Sequence, residues 1–153
     1  MKGVVGVDVR AMVALGCGLA HRADVLFQPR ERFVVESNYF LYVTGELERA
    51  ADVFREWKRL DPTMLYPYIN MGLVEGELGR NEHALENDLQ AYAVKKDTAV
   101  VYRNLAEDYM TLNRLTEAQA ILDEAHNRNL DESLVESYYR LAFLQGDEQK
   151  MEE

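Results

Sequence analysis

Three alanines, Ala50, Ala84 and Ala118, stand 34 residues apart, and the same step links Trp57, Ala91 and Ala125. Asn38, Gly72 and Ala106 keep this spacing, as do Phe54, Asp88 and Leu122. A fixed period of this length restricts the chain to one kind of architecture, a stack of two-helix units in which each unit buries its apolar face only against its neighbours. Within each unit the apolar residues recur at helical spacing rather than alternately, so strands are not expected.

The bulk properties narrow the partners. The 153 residues are 48% hydrophobic and 29% charged, enough for a real core. A net charge of −10 and a pI of about 4.8 oppose phosphate backbones and anionic bilayers, so nucleic acid is not an expected partner. No run approaches the roughly 20 apolar residues of a membrane span, so membrane insertion is not expected. The stretch 11–20 is the most apolar, but Asp8, Arg10 and two glycines make it a poor signal peptide. Cys17 is alone, which excludes an internal disulfide and favours a reducing compartment such as the cytoplasm.

Written in register, the units run 31–64, 65–98 and 99–132. Unit three carries Tyr102, Ala106, Tyr109, Ala118, Leu122 and Ala125. Unit two carries Tyr68, Gly72, Ala84 and Ala91, and unit one Ala50, Phe54 and Pro62. This pattern resembles the tetratricopeptide repeat (TPR). The resemblance implies an all-α, right-handed superhelical stack of antiparallel helix pairs, a TPR solenoid. Small residues at the crossing of each pair let the backbones approach, and Gly45, Gly79 and Asn113 sit where first helices should stop. Helices are expected near 31–44, 47–60, 65–78, 81–94, 98–112, 115–128 and 132–145.

The ends fit less well. In the segment 1–30, Gly16, Ala20 and Ala23 would suit a degenerate repeat helix, whereas 2–9 is strand-like and fits nothing in the pattern. The segment 133–153 brings Leu134, Tyr138, Leu141, Ala142 and Phe143 before Gly146-Asp147. It reads as a capping helix or a truncated fourth repeat.

The stretch 31–147 also resembles the TPR region that follows the kinase domain in some bacterial receptor-like serine/threonine kinases. The shared phrases are Glu31-Arg32-Phe33, Glu36-Ser37, Thr44-Gly45-Glu46-Leu47-Glu48, Leu112-Asn113-Arg114-Leu115 and Leu141-Ala142-Phe143-Leu144-Gln145-Gly146-Asp147. With no kinase signature present, that likeness implies a non-catalytic sensory or docking segment of a bacterial signalling protein.

Chemistry-bearing motifs are missing. His21, His83 and His126 are isolated, and neither Ser37 nor Ser133 has a histidine at helical reach. No metal-ligand spacing or phosphate-cradling loop occurs, so no enzyme activity, cofactor or metal is expected. One anomaly stands out: in unit two, Glu75 and Asp88 occupy slots where the family has an aromatic and a bulky apolar residue. Like charges resist joint burial. The expected arrangement therefore turns both acids to water while Leu85 and Leu89 fill the core. The alternative is a polar pocket for a cation or a shared proton.

In TPR architecture the first helices line the concave side. The residues that register there include Val35, Tyr39 and Tyr42 from unit one, Tyr66, Asn70 and Leu73 from unit two, and Arg103, Asn104 and Glu107 from unit three. Two asparagines one repeat apart could hydrogen-bond an extended backbone, and tyrosines could supply flat apolar contact. Relatives that grip a terminal carboxylate carry lysine and arginine in slots that here hold Val35, Val100 and Asn104, so that specificity is not expected. The expected function is non-catalytic protein–protein interaction, with a peptide or helix in the groove at Tyr39, Tyr42, Tyr66, Asn70, Arg103, Asn104 and Glu107. The alternative is a homo-oligomer formed through the end of the stack, around Tyr138 and Phe143.

Overall fold

The computed structural model describes residues 29–152, and these fall into two compact units divided after Pro62. The degenerate helix expected around Gly16, Ala20 and Ala23, together with Cys17 and His21, lies outside the described residues. Among the described residues the structure is helical throughout, without a strand, and no helix is long and apolar enough to cross a membrane.

The first unit contains α1 (Pro29–Asn38), a π-helical turn (Tyr39–Thr44) and α2 (Leu47–Leu60). Helix α2 carries Ala50, Ala51, Phe54 and Trp57 on one face, and all four are buried. Phe33 of α1 stacks on Trp57, with ring centroids 5.5 Å apart. The repeat pattern predicts an unbroken helix over 31–44. Instead the coil widens at Tyr39, where Ser37 Oγ and Asn38 Nδ2 both donate to the Val34 carbonyl, at 3.3 and 2.7 Å. Side-chain donors that occupy a helix carbonyl loosen the ladder around it. Gly45, at φ 68°, then ends the turn, and Glu46 N–H closes on the Phe40 carbonyl at 2.9 Å.

The second unit contains α3 (Leu65–Glu77), α4 (Asn81–Val94), α5 (Ala99–Thr111), α6 (Leu115–Asn127), a 3₁₀ turn (Asp131–Ser133), α7 (Val135–Gln145) and α8 (Glu148–Glu152). From α3 to α8 each helix packs on the next. The alanines of the 34-residue pattern form the seams: Ala84, Ala91, Ala106, Ala118 and Ala125 are buried. Around them lie two apolar clusters. One is built on Tyr68, Leu85, Val101 and Leu105, the other on Tyr102, Leu122, Leu134 and Leu141, and Tyr92, Tyr109 and Ile121 touch both. Full burial of each large side chain contributes about 1.5–3 kcal/mol.

The turns repeat one device. Arg80 N–H bonds back to the Glu75 carbonyl at 2.8 Å and Arg114 N–H to Tyr109 at 2.7 Å, across Gly79 and Asn113 in the left-handed region. Helix α7 begins later than the expected residue 132. Asp131 draws the chain into the 3₁₀ turn by accepting the Tyr138 hydroxyl at 2.8 Å and facing His126 Nδ1 at 3.0 Å.

Candidate functional site

Of the seven residues expected to touch a partner in the groove, five belong to the second unit. Tyr66 and Asn70 lie one turn apart on α3, both half-buried, and Asn70 Nδ2 donates to the Tyr66 carbonyl at 2.8 Å. Arg103, Asn104 and Glu107 lie within a turn and a half of one another on α5. Arg103 is exposed, and Asn104 is half-buried with Nδ2 donating to Asp88 Oδ1 at 3.4 Å. Glu107 forms an ion pair with Arg140 of α7. The bonds to Asn70 and Asn104 use only the amide nitrogens. Both Oδ1 atoms are without a donor among the described residues. Leu73, 46% exposed, adds apolar surface on α3.

The other two belong to the first unit. Tyr39 and Tyr42 sit in the π-helical turn, Tyr39 half-buried with its ring edge-on to Phe40, Tyr42 68% exposed. Val35 does not fit its expected place. It is 7% exposed, inside the core of α1 and α2, and presents nothing to a partner.

The expectation for the acids is corrected. Glu75 and Asp88 do not reach water; they are 5% and 2% exposed. Leu85 is buried as expected, but Leu89 is 41% exposed, so only one leucine fills the core. The physical reason is that each acid has its own partner. Glu75 Oε2 meets Arg80 Nη1 at 3.4 Å and lies 3.9 Å from His83 Nδ1. Asp88 lies against Gly72, accepts from Asn104 Nδ2, and has the Asp108 carboxyl as its electrostatic neighbour. Burial first, then the neighbouring Asp108 charge, push the Asp88 carboxyl up to about 8. Burial likewise lifts Asp108 to about 6. Asp108 escapes a reading of the sequence because it fills no slot of the repeat pattern. Its spacing of four from Asn104 is the available signal.

A second polar centre is Glu124 on α6. It accepts the Tyr92 hydroxyl at 2.6 Å and the Tyr102 hydroxyl at 3.1 Å, and pairs with Arg128 at 3.0 Å. The Tyr92 bond leads in holding the Glu124 carboxyl below the usual carboxylate range. Burial and this carboxylate push Tyr102 up to about 12. The single hydrogen of the Tyr102 hydroxyl is shared between Glu124 and the Lys96 carbonyl, which lies 2.8 Å away. The centre ties α4, α5 and α6 together. His83 and His126 are exposed, and among the described residues no group of histidine, cysteine, aspartate or glutamate is placed to hold a metal ion.

The far end of the unit is apolar. Val135, Tyr139, Phe143 and Leu144 of α7 are between 49% and 67% exposed. Beside them Val135, Tyr138, Leu141, Ala142 and Met151 help line a recess of about 440 Å³.

The chain is similar to the crystal structure of TTC0263, a thermophilic TPR protein from Thermus thermophilus. Identity is 25%, covering 86% of this chain and 76% of that one, with a TM-score of 0.64. It is also similar to the crystal structure of MamA, at 18% identity over 83% of this chain and 78% of that one, TM-score 0.62. A third similar structure, MamA MSR-1 C2, is 13% identical over 95% and 91% of the two chains, TM-score 0.61. No family model and no curated protein matches the chain. The fold is that of a TPR solenoid.

Proposed function

We propose that this TPR solenoid is a non-catalytic interaction scaffold that holds an extended peptide or a helix across the first helices α3 and α5. The observation that carries the reading is the pair of asparagines. Asn70 and Asn104 stand one repeat apart, each amide steadied through its nitrogen with its oxygen left to accept a backbone N–H. Tyr66 and Leu73 provide apolar contact beside them, and Arg103 supplies a cation in solvent. Tyr39 and Tyr42 are proposed contacts of the first unit. The kinase-like phrases support a docking segment of a larger signalling protein as the setting.

The test is a display library of extended peptides panned on the whole chain. Selected peptides should lose at least about tenfold in affinity, or about 1.4 kcal/mol, when Asn70 and Asn104 are both replaced by alanine. Peptides that bind the double variant unchanged would remove the assignment.

A second reading has its own observation, the exposed aromatic end of α7. Self-association through Tyr139, Phe143 and the adjoining recess would cover that surface. Sedimentation checks it: a concentration-dependent dimer that Phe143→Glu abolishes favours self-association, and a monomer at all concentrations rejects it.

A further inference from the structure

Asp88 is where the interior of the second unit departs most from its equivalents. The matching positions hold Phe54 and Leu122, both 0% exposed, whereas here a carboxyl fills the slot. The space is shaped around it, since a Cβ placed on Gly72 would lie 2.6 Å from Asp88 Oδ2. From α5 come Asn104, which donates to Oδ1, and one turn later Asp108. Asp108 Oδ2 is shut away from water and meets no N–H or hydroxyl donor among the described residues. Such an acceptor needs a proton, and Asp88 is the group able to share one.

The charged groups of the packed elements do not neutralise the pair. Glu75 of α3 is occupied with Arg80 and, farther off, His83. Glu107 of α5 adds negative charge beside Asp108 and is itself held by Arg140 of α7. Arg103 of α5 stands in solvent.

The two protonation states treat Asn104 differently. With one proton between the acids, Asp88 donates to Asp108, and Asn104 keeps only its long bond of 3.4 Å. When that proton leaves to solvent, Asp88 becomes an anion. Its bond to Asn104 is then charge-assisted and shorter, and the two carboxylates repel across the seam of α4 and α5. We propose that one proton held between Asp88 and Asp108 decides whether Asn104 serves a bound peptide backbone or is drawn into the interior. This rests on the peptide-capture reading of Asn104. The carboxyl values of about 8 and about 6 given above put the singly protonated pair at neutral pH.

The experiment is carbon-13 NMR of the aspartate carboxyls in the full chain, titrated from about pH 5 to about pH 9.5. Asp88 should titrate near the upper end of this range, and the Asn104 side-chain amide should shift with the same midpoint. In Asp88→Asn the Asn104 step should vanish, and in Asp108→Asn it should move to lower pH, because burial of Asp88 remains while the neighbouring charge is gone. An Asp88 that titrates with the ordinary carboxylates below about pH 5 overturns the proposal, as does an Asn104 amide that ignores the step. A panned peptide that depends on Asn104 should weaken at least about threefold from about pH 7 to about pH 9 in the native chain and not in Asp88→Asn. Equal binding at both values would remove the proton control and leave peptide capture standing. If no selected peptide depends on Asn104 at either pH, capture and control fall together, whatever the NMR shows.

Discussion

The Cα of Gly72 faces a carboxyl that no water reaches, so these two residues are sized to each other. Gly72→Ala should cost about 1–3 kcal/mol by overpacking, measured by chemical denaturation. In an Asp88→Ala background the same substitution should cost much less, because the obstructing atoms are gone. An undiminished cost would place the strain elsewhere. Acidity adds a second check. Asp88 binds its proton more tightly folded than unfolded, so its stabilisation is complete below about pH 4 and drains away as pH rises to about 8. Glu124 acts oppositely: its carboxyl is held low, so its contribution is present at neutral pH and is lost as pH falls through its folded value. Between about pH 5 and about pH 8 the melting temperature of the native chain should decline on this account, and Asp88→Asn should flatten that decline. Glu75 and Asp88 are legible in the sequence as misfits, because the repeat reserves their slots for apolar groups. Asp108 is not legible as a partner, since the crossing of α4 and α5 that joins them is a tertiary fact.

At the level of elements, most helix limits are readable because the stops are chemical. Gly79 and Asn113 take positive φ where the backbone must turn left-handed, and the alanine period marks which face is buried. Asn113→Val should therefore cost about 1–2 kcal/mol, and Asn113→Gly little, as read from thermal melts. The widened turn at Tyr39 is not readable, since it comes from Ser37 and Asn38 competing for one carbonyl, and a periodicity carries no record of side-chain donors. Nor is the Glu124 centre, whose partners come from two other helices. Tyr102→Phe should cost about 1–3 kcal/mol, since the Lys96 carbonyl and Glu124 lose the one hydroxyl hydrogen they share. A neutral result would mean that water takes over the hydroxyl's role.

For the whole molecule, both apolar clusters described above are made of residues beyond Pro62. The fragment Thr63–Glu153 should therefore give a helical circular dichroism spectrum and a cooperative melt by itself, and a coil-like spectrum would contradict that. Three contacts in this unit reach roughly one repeat along the chain: Arg114 to Glu82, Tyr92 to Glu124, and Arg140 to Glu107. Each exposed ion pair adds little equilibrium stability, about 0–1 kcal/mol. Together they act as a ruler. A single residue added to α5 would misalign donor and acceptor in more than one of these pairs, whereas a substitution at the same place leaves the spacing intact. The lineage of such a chain is thus freer to change its letters than its count, and lengthening is cheapest where whole repeats are copied.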